Sequence, residues 1–242
     1  MTDNNEPAAV PSMPPGAMEQ LWDERYADSG TVWSGEPNEA LVVEARSMVP
    51  ARALDVGCGE GADAVWLARQ GWDVTALDIS GVAVRRAEQA ADAAGVKVRF
   101  LHSGLVEAQL PAAGYEFVAA LYPAFMMTAD HEAERALLAA VAPGGTLLFV
   151  HHAQFGTPES PGEESPGHGH DHHRAAGPGQ GPGNGAGITP RDLVGVADVR
   201  AFVESVGAEW AIETYEQRTR DIHGGAGAHH TEDVVLRARR LP

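Results

Sequence analysis

Residues Arg52–Gly61, Arg-Ala-Leu-Asp-Val-Gly-Cys-Gly-Glu-Gly, constrain the fold of this chain more than any other stretch. Ala53-Leu54-Asp55-Val56 reads as a short buried strand. Gly57, Gly59 and Gly61 then make a tight loop, and Ala62–Gln70 reads as a helix with Val65, Leu67 and Ala68 among its apolar residues. Strand, glycine loop and helix together form a half-site for a nucleotide-like ligand. Glycines let the backbone approach the ligand without a Cβ clash, and the helix N-terminus offers N–H groups that have no partner in the helix. Seventeen residues after Gly61, at the end of a second apolar run, stands Asp78. An acid there can accept hydrogen bonds from both hydroxyls of a ribose.

The spacing chooses between two cofactor classes. A dinucleotide fingerprint runs G-x-G-x-x-G. Here it is G-x-G-x-G, with Asp55 two residues before the first glycine. An oxidoreductase using a nucleotide cofactor is the second enzyme reading, and both features count against it. Leu54–Gly61 resembles, without a gap, the D-x-G-x-G-x-G motif of class I S-adenosylmethionine (SAM) methyltransferases. Asp78 and Pro143-Gly144-Gly145 extend the resemblance, which covers about residues 17–240 apart from one insertion. It implies an α/β fold: a Rossmann-like, doubly wound, seven-stranded sheet, mostly parallel with an antiparallel last strand and helices on both faces.

The same resemblance implies SAM as cofactor. Asp55, Gly57, Cys58 and Gly59 would lie around its methionine moiety, Asp78 at the ribose, and Ile79 and Leu105 against adenine. Cys58, the only cysteine, is read as a small packing residue of the loop. Family members carry an acid-hydrophobic pair just past the third strand, whose acid contacts the adenine amino group. Here Ser103-Gly104-Leu105 stands at that place, with Glu107 three residues after Gly104.

Residues 1–16 are polar and proline-rich and are expected to be a disordered tail; they lack the apolar core of a signal peptide. Residues 17–240 form one domain. Its first part, 17–48, is expected to hold helices over Ala17–Asp28 and Glu39–Met48, with Asn38 as a cap. Trp22, Tyr26 and Trp33 either anchor this segment on the sheet or, as the resemblance implies, fold over the cofactor as a lid, with Tyr26 and Trp33 touching it. Aromatic faces suit a sulfonium cation.

Further strands are expected at Asp73–Asp78, Lys97–His102, Glu116–Leu121, Thr146–His151, Glu209–Gln217 and Glu232–Arg239. Helices are expected at Gly81–Ala94, capped by Ser80 and closed by Gly95, at Asp130–Val141 and through Val206. Between Gly156 and Gly187 stand ten glycines and five prolines. Such a stretch buries too little surface to offset its ordering entropy and reads as a mobile insertion.

The chemistry of methyl transfer needs alignment above all, and a base where the acceptor must lose a proton. His151 and His152, at the carboxyl end of the fifth strand, are the base candidates. Tyr122, at the end of the fourth, either faces the substrate or packs under the lid. His223, His229 and His230 lie in the loop between the last two strands, which opens towards the same edge, and Arg218 and Arg220 share that loop and are placed to hold an anionic substrate. The histidine cluster at 168–173 has the donor chemistry for Zn²⁺, Ni²⁺ or Cu²⁺ but not the fixed spacing of a structural zinc site, and no residue is assigned to a metal. The formal net charge of −17 argues against a general affinity for nucleic acid. No 18-residue apolar run spans a membrane. The reading is a cytoplasmic enzyme that methylates a small molecule, similar to the tellurite-resistance and thiopurine-type methyltransferases. The alternative is a non-enzymatic metal-binding or regulatory protein on the same scaffold.

Overall fold

The computed structural model describes residues 14, 16–153, 155, 189–220 and 230–242. The expectations for most of the tail, the 156–187 insertion with its histidine cluster, His223 and His229 fall outside these residues.

The described chain runs α1 (Ala17–Ala27), α2 (Glu39–Ala45), β1 (Arg52–Val56), α3 (Ala62–Arg69), β2 (Asp73–Asp78), α4 (Gly81–Ala94), β3 (Val98–His102), β4 (Tyr115–Leu121) and α5 (Glu132–Ala140). It continues with β5 (Val141–His152), α6 (Val196–Ser205), β6 (Trp210–Thr219) and β7 (Glu232–Arg240). The strand order is β3-β2-β1-β4-β5-β7-β6. The first five strands pair in parallel, and β7 is antiparallel to both its neighbours. This is the seven-stranded, doubly wound sheet expected from the motif.

Alternation along the central strands divides the core into two layers. Leu54 and Val56 of β1, Val118 and Ala120 of β4, and Leu147 and Phe149 of β5 face α5 and α6. Ala53, Phe117, Ala119, Leu148 and Val150 face α2 and α3 on the other side. Because both faces are covered, the central strands are apolar at nearly every position. α1 lies on α4, where Tyr26 and Val32 pack against Ala83.

Two local expectations need correction. Asn38 precedes α2 but its side chain does not cap it; the amide donates to Asp63 at 2.7 Å instead. Pro143-Gly144-Gly145 is not a turn ahead of the fifth strand. That strand begins at Val141, and the residues between Val141 and Thr146 bulge opposite Glu116, because Tyr115 pairs with Val141 and Phe117 with Thr146. Among the described residues no helix is long and apolar enough to cross a membrane.

Candidate active site

The parallel strands end on one edge of the sheet, and the polar side chains gather there, as they do in open α/β sheets. The Gly57 and Cys58 N–H groups both donate to the Leu77 carbonyl, at 2.8 and 3.0 Å, folding the glycine loop against the end of β2. The Asp78 carboxylate fixes the loop further. It accepts from Gly59 N at 2.9 Å and from Ser80 N at 2.8 Å, one bond to each oxygen. Gly59 has φ +53°, and a Cβ there would stand 3.0 Å from both the Tyr26 hydroxyl and Trp33 Nε1. The aromatic segment therefore lies directly on the loop. Trp33 Nε1 donates to the Tyr26 hydroxyl at 2.9 Å.

Three carboxylates staple that segment down. Glu60 accepts from Val32 N and Trp33 N and pairs with Arg86 at 2.9 Å. Asp63 takes both Asn38 N and its side-chain amide. Asp23 accepts from Ser80 Oγ at 2.6 Å and from Val82 N at 3.1 Å. Neither Glu60, an unspecified position inside the glycine motif, nor Arg86 stood out in the sequence, because their partners are more than twenty residues away.

The other half of the edge holds Tyr122, His151 and His152. Tyr122 donates its hydroxyl to Asp233 Oδ2 at 2.6 Å and accepts from Arg220 at 2.8 Å. Burial and the Asp233 charge push its phenol far above the ordinary range, so it is neutral. His152 stacks on Tyr122 and on His230, with ring centroids 4.5 and 4.2 Å apart. His151 is buried, and burial pulls its imidazole down to about 3. Its Nδ1 accepts from His152 N at 3.0 Å. Arg218, expected beside Arg220, is drawn away into ion pairs with Glu44 and Glu216. Asp233, which joins Tyr122, His152 and Arg220, was missed in the sequence.

Residues 53–145 match the model of a methyltransferase domain family. An uncharacterized methyltransferase of Mycobacterium tuberculosis is 39% identical over 97 residues, 40% of this chain and 48% of the relative. The chain thus spans about half the length of the curated relatives it matches. A structure solved for the conversion of a disulfide bond into a thioacetal group during echinomycin biosynthesis superimposes with a TM-score of 0.66. It is 22% identical, and the match covers 93% of this chain and 92% of that one. The N-methyltransferase NodS from Bradyrhizobium japonicum, in complex with S-adenosylhomocysteine (SAH), gives 0.55 at 15% identity, covering 94% and 91%. Over residues 53–145 the chain is similar to a methyltransferase domain, and its fold is that of these solved structures.

The cofactor that similarity to a methyltransferase domain implies is SAM, and the residues of the half-site fit it. Asp55 is buried and, among the described residues, its Oδ2 has no hydrogen-bond partner. Asp63 and Asp78 are close enough to raise its affinity for a proton. Three buried acids around a glycine cradle suit a ligand that carries an ammonium and a sulfonium. Cys58 is buried; burial, then Asp55 and Asp78, push its thiol well up, so it is a neutral packing group. Ile79 follows Asp78 at the end of β2, and Leu105 is buried just past β3. A Cβ on Gly104 would overlap the Glu107 carboxylate, so Glu107 fills the space of the side chain that Gly104 lacks.

A pH dependence follows from the carboxylates. Burial, then Asp63 and Asp78, push Asp55 well above its ordinary value of 3.8; burial raises Asp63 and Asp78 as well. The folded protein then keeps protons that the unfolded chain has released, so this contribution to stability falls as pH rises above 3.8. A bound cation favours the ionised form. Affinity for SAH should therefore rise with pH above 3.8, by up to about tenfold per unit for one released proton. Titration calorimetry at several pH values measures the slope, and Asp55→Asn should flatten it.

Proposed function

We propose that this chain transfers a methyl group from SAM to a small-molecule acceptor. The observation that carries the reading is the half-site itself: Asp55, Gly59 and Asp78 at the ends of β1 and β2, covered by Tyr26 and Trp33. In this reading Gly57, Cys58 and Gly59 give the methionine moiety a close backbone wall. Asp78 receives the ribose hydroxyls on the lone pairs that Gly59 N and Ser80 N leave over, and Ile79, Leu105 and Glu107 flank adenine. The cofactor, when bound, supplies an electrophilic methyl carbon with a good leaving group. The protein's part is to hold the acceptor in line and keep water out, and orientation of this kind is worth roughly 7–11 kcal/mol.

The aromatic segment serves the second task as a lid. Tyr26 is 2% exposed and the segment is held by Glu60, Asp63 and Asp23, so it shields the loop from solvent. A small acceptor fits this closed arrangement, and the net charge of −17 disfavours nucleic acid.

Calorimetric titration with SAM and SAH tests the reading. Micromolar binding of both is expected; binding of neither, by protein shown to be folded, would remove the methyltransferase function. Glu107→Ala should weaken both ligands about tenfold if its carboxylate receives the adenine amino group, the size expected for one hydrogen bond to a charged partner. An unchanged affinity would take Glu107 out of the site.

A further inference from the structure

Helices α1 and α4 cap each other. Asp23, on α1, accepts from Ser80 Oγ at 2.6 Å and from Val82 N at 3.1 Å, at the start of α4. Arg86, on α4, donates through Nη2 to the carbonyls of Tyr26 and Ser29, each at 2.6 Å, at the end of α1. Each helix thus partners backbone groups that the end of the other leaves over. The guanidinium also lies where a helix terminus is negative. The other arm of Arg86 reaches the glycine loop, where Nη1 pairs with Glu60 Oε1 at 2.9 Å. Glu60 in turn accepts from Val32 N at 3.1 Å and from Trp33 N at 3.0 Å. One ion pair therefore holds both sides of the turn that leads from α1 to Trp33.

The apolar contact beneath this segment is small. Tyr26, Val32 and Ala83 form a cluster separate from the two that flank the sheet, with Trp22, Trp33 and Val82 partly buried at its margin. An element held by polar bonds over few apolar residues opens at lower cost than the core. Past Trp33 the chain is fixed again at Asn38, whose N and side-chain amide both meet Asp63 at 2.7 Å. Between these two attachments Gly35 has φ +78°, with nothing within 4 Å of its Cβ position. Residues 34–37 are thus the place for a hinge.

The aromatic pair rests on Gly59 itself. A Cβ there would stand 3.0 Å from the Tyr26 hydroxyl and from Trp33 Nε1. A ligand the size of SAM reaches that part of the loop only when the pair lifts. The segment and the half-site also share residues. Asp78 accepts from Ser80 N while Ser80 Oγ binds Asp23, and Glu60 stands between Gly59 and Gly61.

We propose that residues 17–33 lift from the half-site and return as one body hinged at 34–37, that Arg86, acting through Glu60, is the positioning residue that latches them, and that SAM enters and SAH leaves through the lifted state. The inference rests on the methyl-transfer reading for its ligands, though not for the motion. The latch is closed with and without ligand, so weakening it speeds entry and exit together and leaves the equilibrium between them nearly unchanged. Damage to the binding wall has a different signature: faster exit, entry no faster, and weaker binding.

Amide hydrogen exchange of the full chain without ligand tests the motion. Val32, Trp33 and Val82 should show equal protection, because one lifting event removes the acceptor of all three. Arg86→Met should make these three exchange about 10–100-fold faster, the size expected for hydrogen bonds to a charged group. Asn38, beyond the hinge, should be unchanged. Arg86→Lys has no fork to serve Glu60 and the carbonyls together, and should fall between. Stopped-flow mixing with SAH tests the gate. The association rate should level off as SAH is raised. Arg86→Met should lift that limit and the dissociation rate alike, each about 10–100-fold, with Kd little changed. Glu60→Gln should act in the same direction and serves if Arg86→Met does not fold. Unequal protection of Val32 and Val82, or exchange that Arg86→Met leaves unaltered, overturns the one-body motion. Association that stays linear in SAH, or a Kd that weakens in Arg86→Met without faster association, overturns the gate. Absence of SAH binding by folded protein removes the methyl-transfer reading and the gate with it, whereas the exchange data still decide the motion.

Discussion

Asp78→Ala is expected to weaken SAH binding by about two orders of magnitude and to destabilise the fold by roughly 2–4 kcal/mol. Both effects come from one carboxylate. Asp78 accepts from Gly59 N and Ser80 N, the two backbone groups that fix the glycine loop and the start of α4. It is 7% exposed, so water cannot easily replace it. Removing it leaves two buried N–H groups without their acceptor, at about 1–3 kcal/mol each. The ribose contact proposed for Asp78 is lost at the same time. Urea denaturation reads the first effect and calorimetry the second. Asp78→Asn separates them: its amide oxygen keeps one backbone acceptor, so stability should recover more than affinity. Full SAH affinity in Asp78→Ala would move the ribose to another group while leaving the loop geometry as described.

Which parts of this protein can be read from sequence depends on how far apart the interacting residues are. The strand at Leu54–Val56, the glycine loop and Asp78 lie within one continuous stretch, and their residue types predict the strand, loop and strand end found there. Ser80 and Gly95 are legible for the same reason. Ser80 Oγ accepts from Ala83 N three residues on, and Gly95 takes φ +68° at the end of its own helix. Asn38 looks like a cap by the same local rule, yet a carboxylate 25 residues away claims its amide. The division of labour between Arg218 and Arg220 is settled by groups no local pattern contains. Glu44 on α2 binds Arg218 from 174 residues away, while Asp233 and Tyr122 bind Arg220. Asp233 itself sits next to Glu232 at the charged start of β7, where an acid reads as a surface residue. Only the pairing of β7 with β5 shows that it stands beside His152.

The second large effect is expected at Gly61, where the glycine loop meets the helical layer. Gly61 has φ +87°, precedes α3, and faces Ala87 of α4. A Cβ there would stand 2.8 Å from the Ala87 Cβ and 3.0 Å from its Cα. Gly61→Ala therefore meets two separate costs. The left-handed backbone costs a non-glycine residue roughly 1–2 kcal/mol, and forcing a methyl group into a closed contact costs typically about 1–3 kcal/mol more. Gly95→Ala isolates the first cost, since Gly95 has φ +68° and nothing lies within 4 Å of its Cβ position. In urea denaturation Gly61→Ala should be the less stable variant by about 1–3 kcal/mol. It should also lose SAH affinity, which Gly95→Ala should keep. The reason is that separating α3 from α4 shifts Glu60, whose carboxylate bridges the loop to Arg86 on α4 and to Val32 and Trp33 of the aromatic segment. Ala87→Gly, placed in the same chain, removes the nearer clash and should restore part of both losses, a coupling that a double-mutant cycle measures directly. Equal stability of the Gly61→Ala and Gly95→Ala variants would show that α3 and α4 can separate freely. The aromatic segment would then be held by its own hydrogen bonds, without help from the helix layer beneath it.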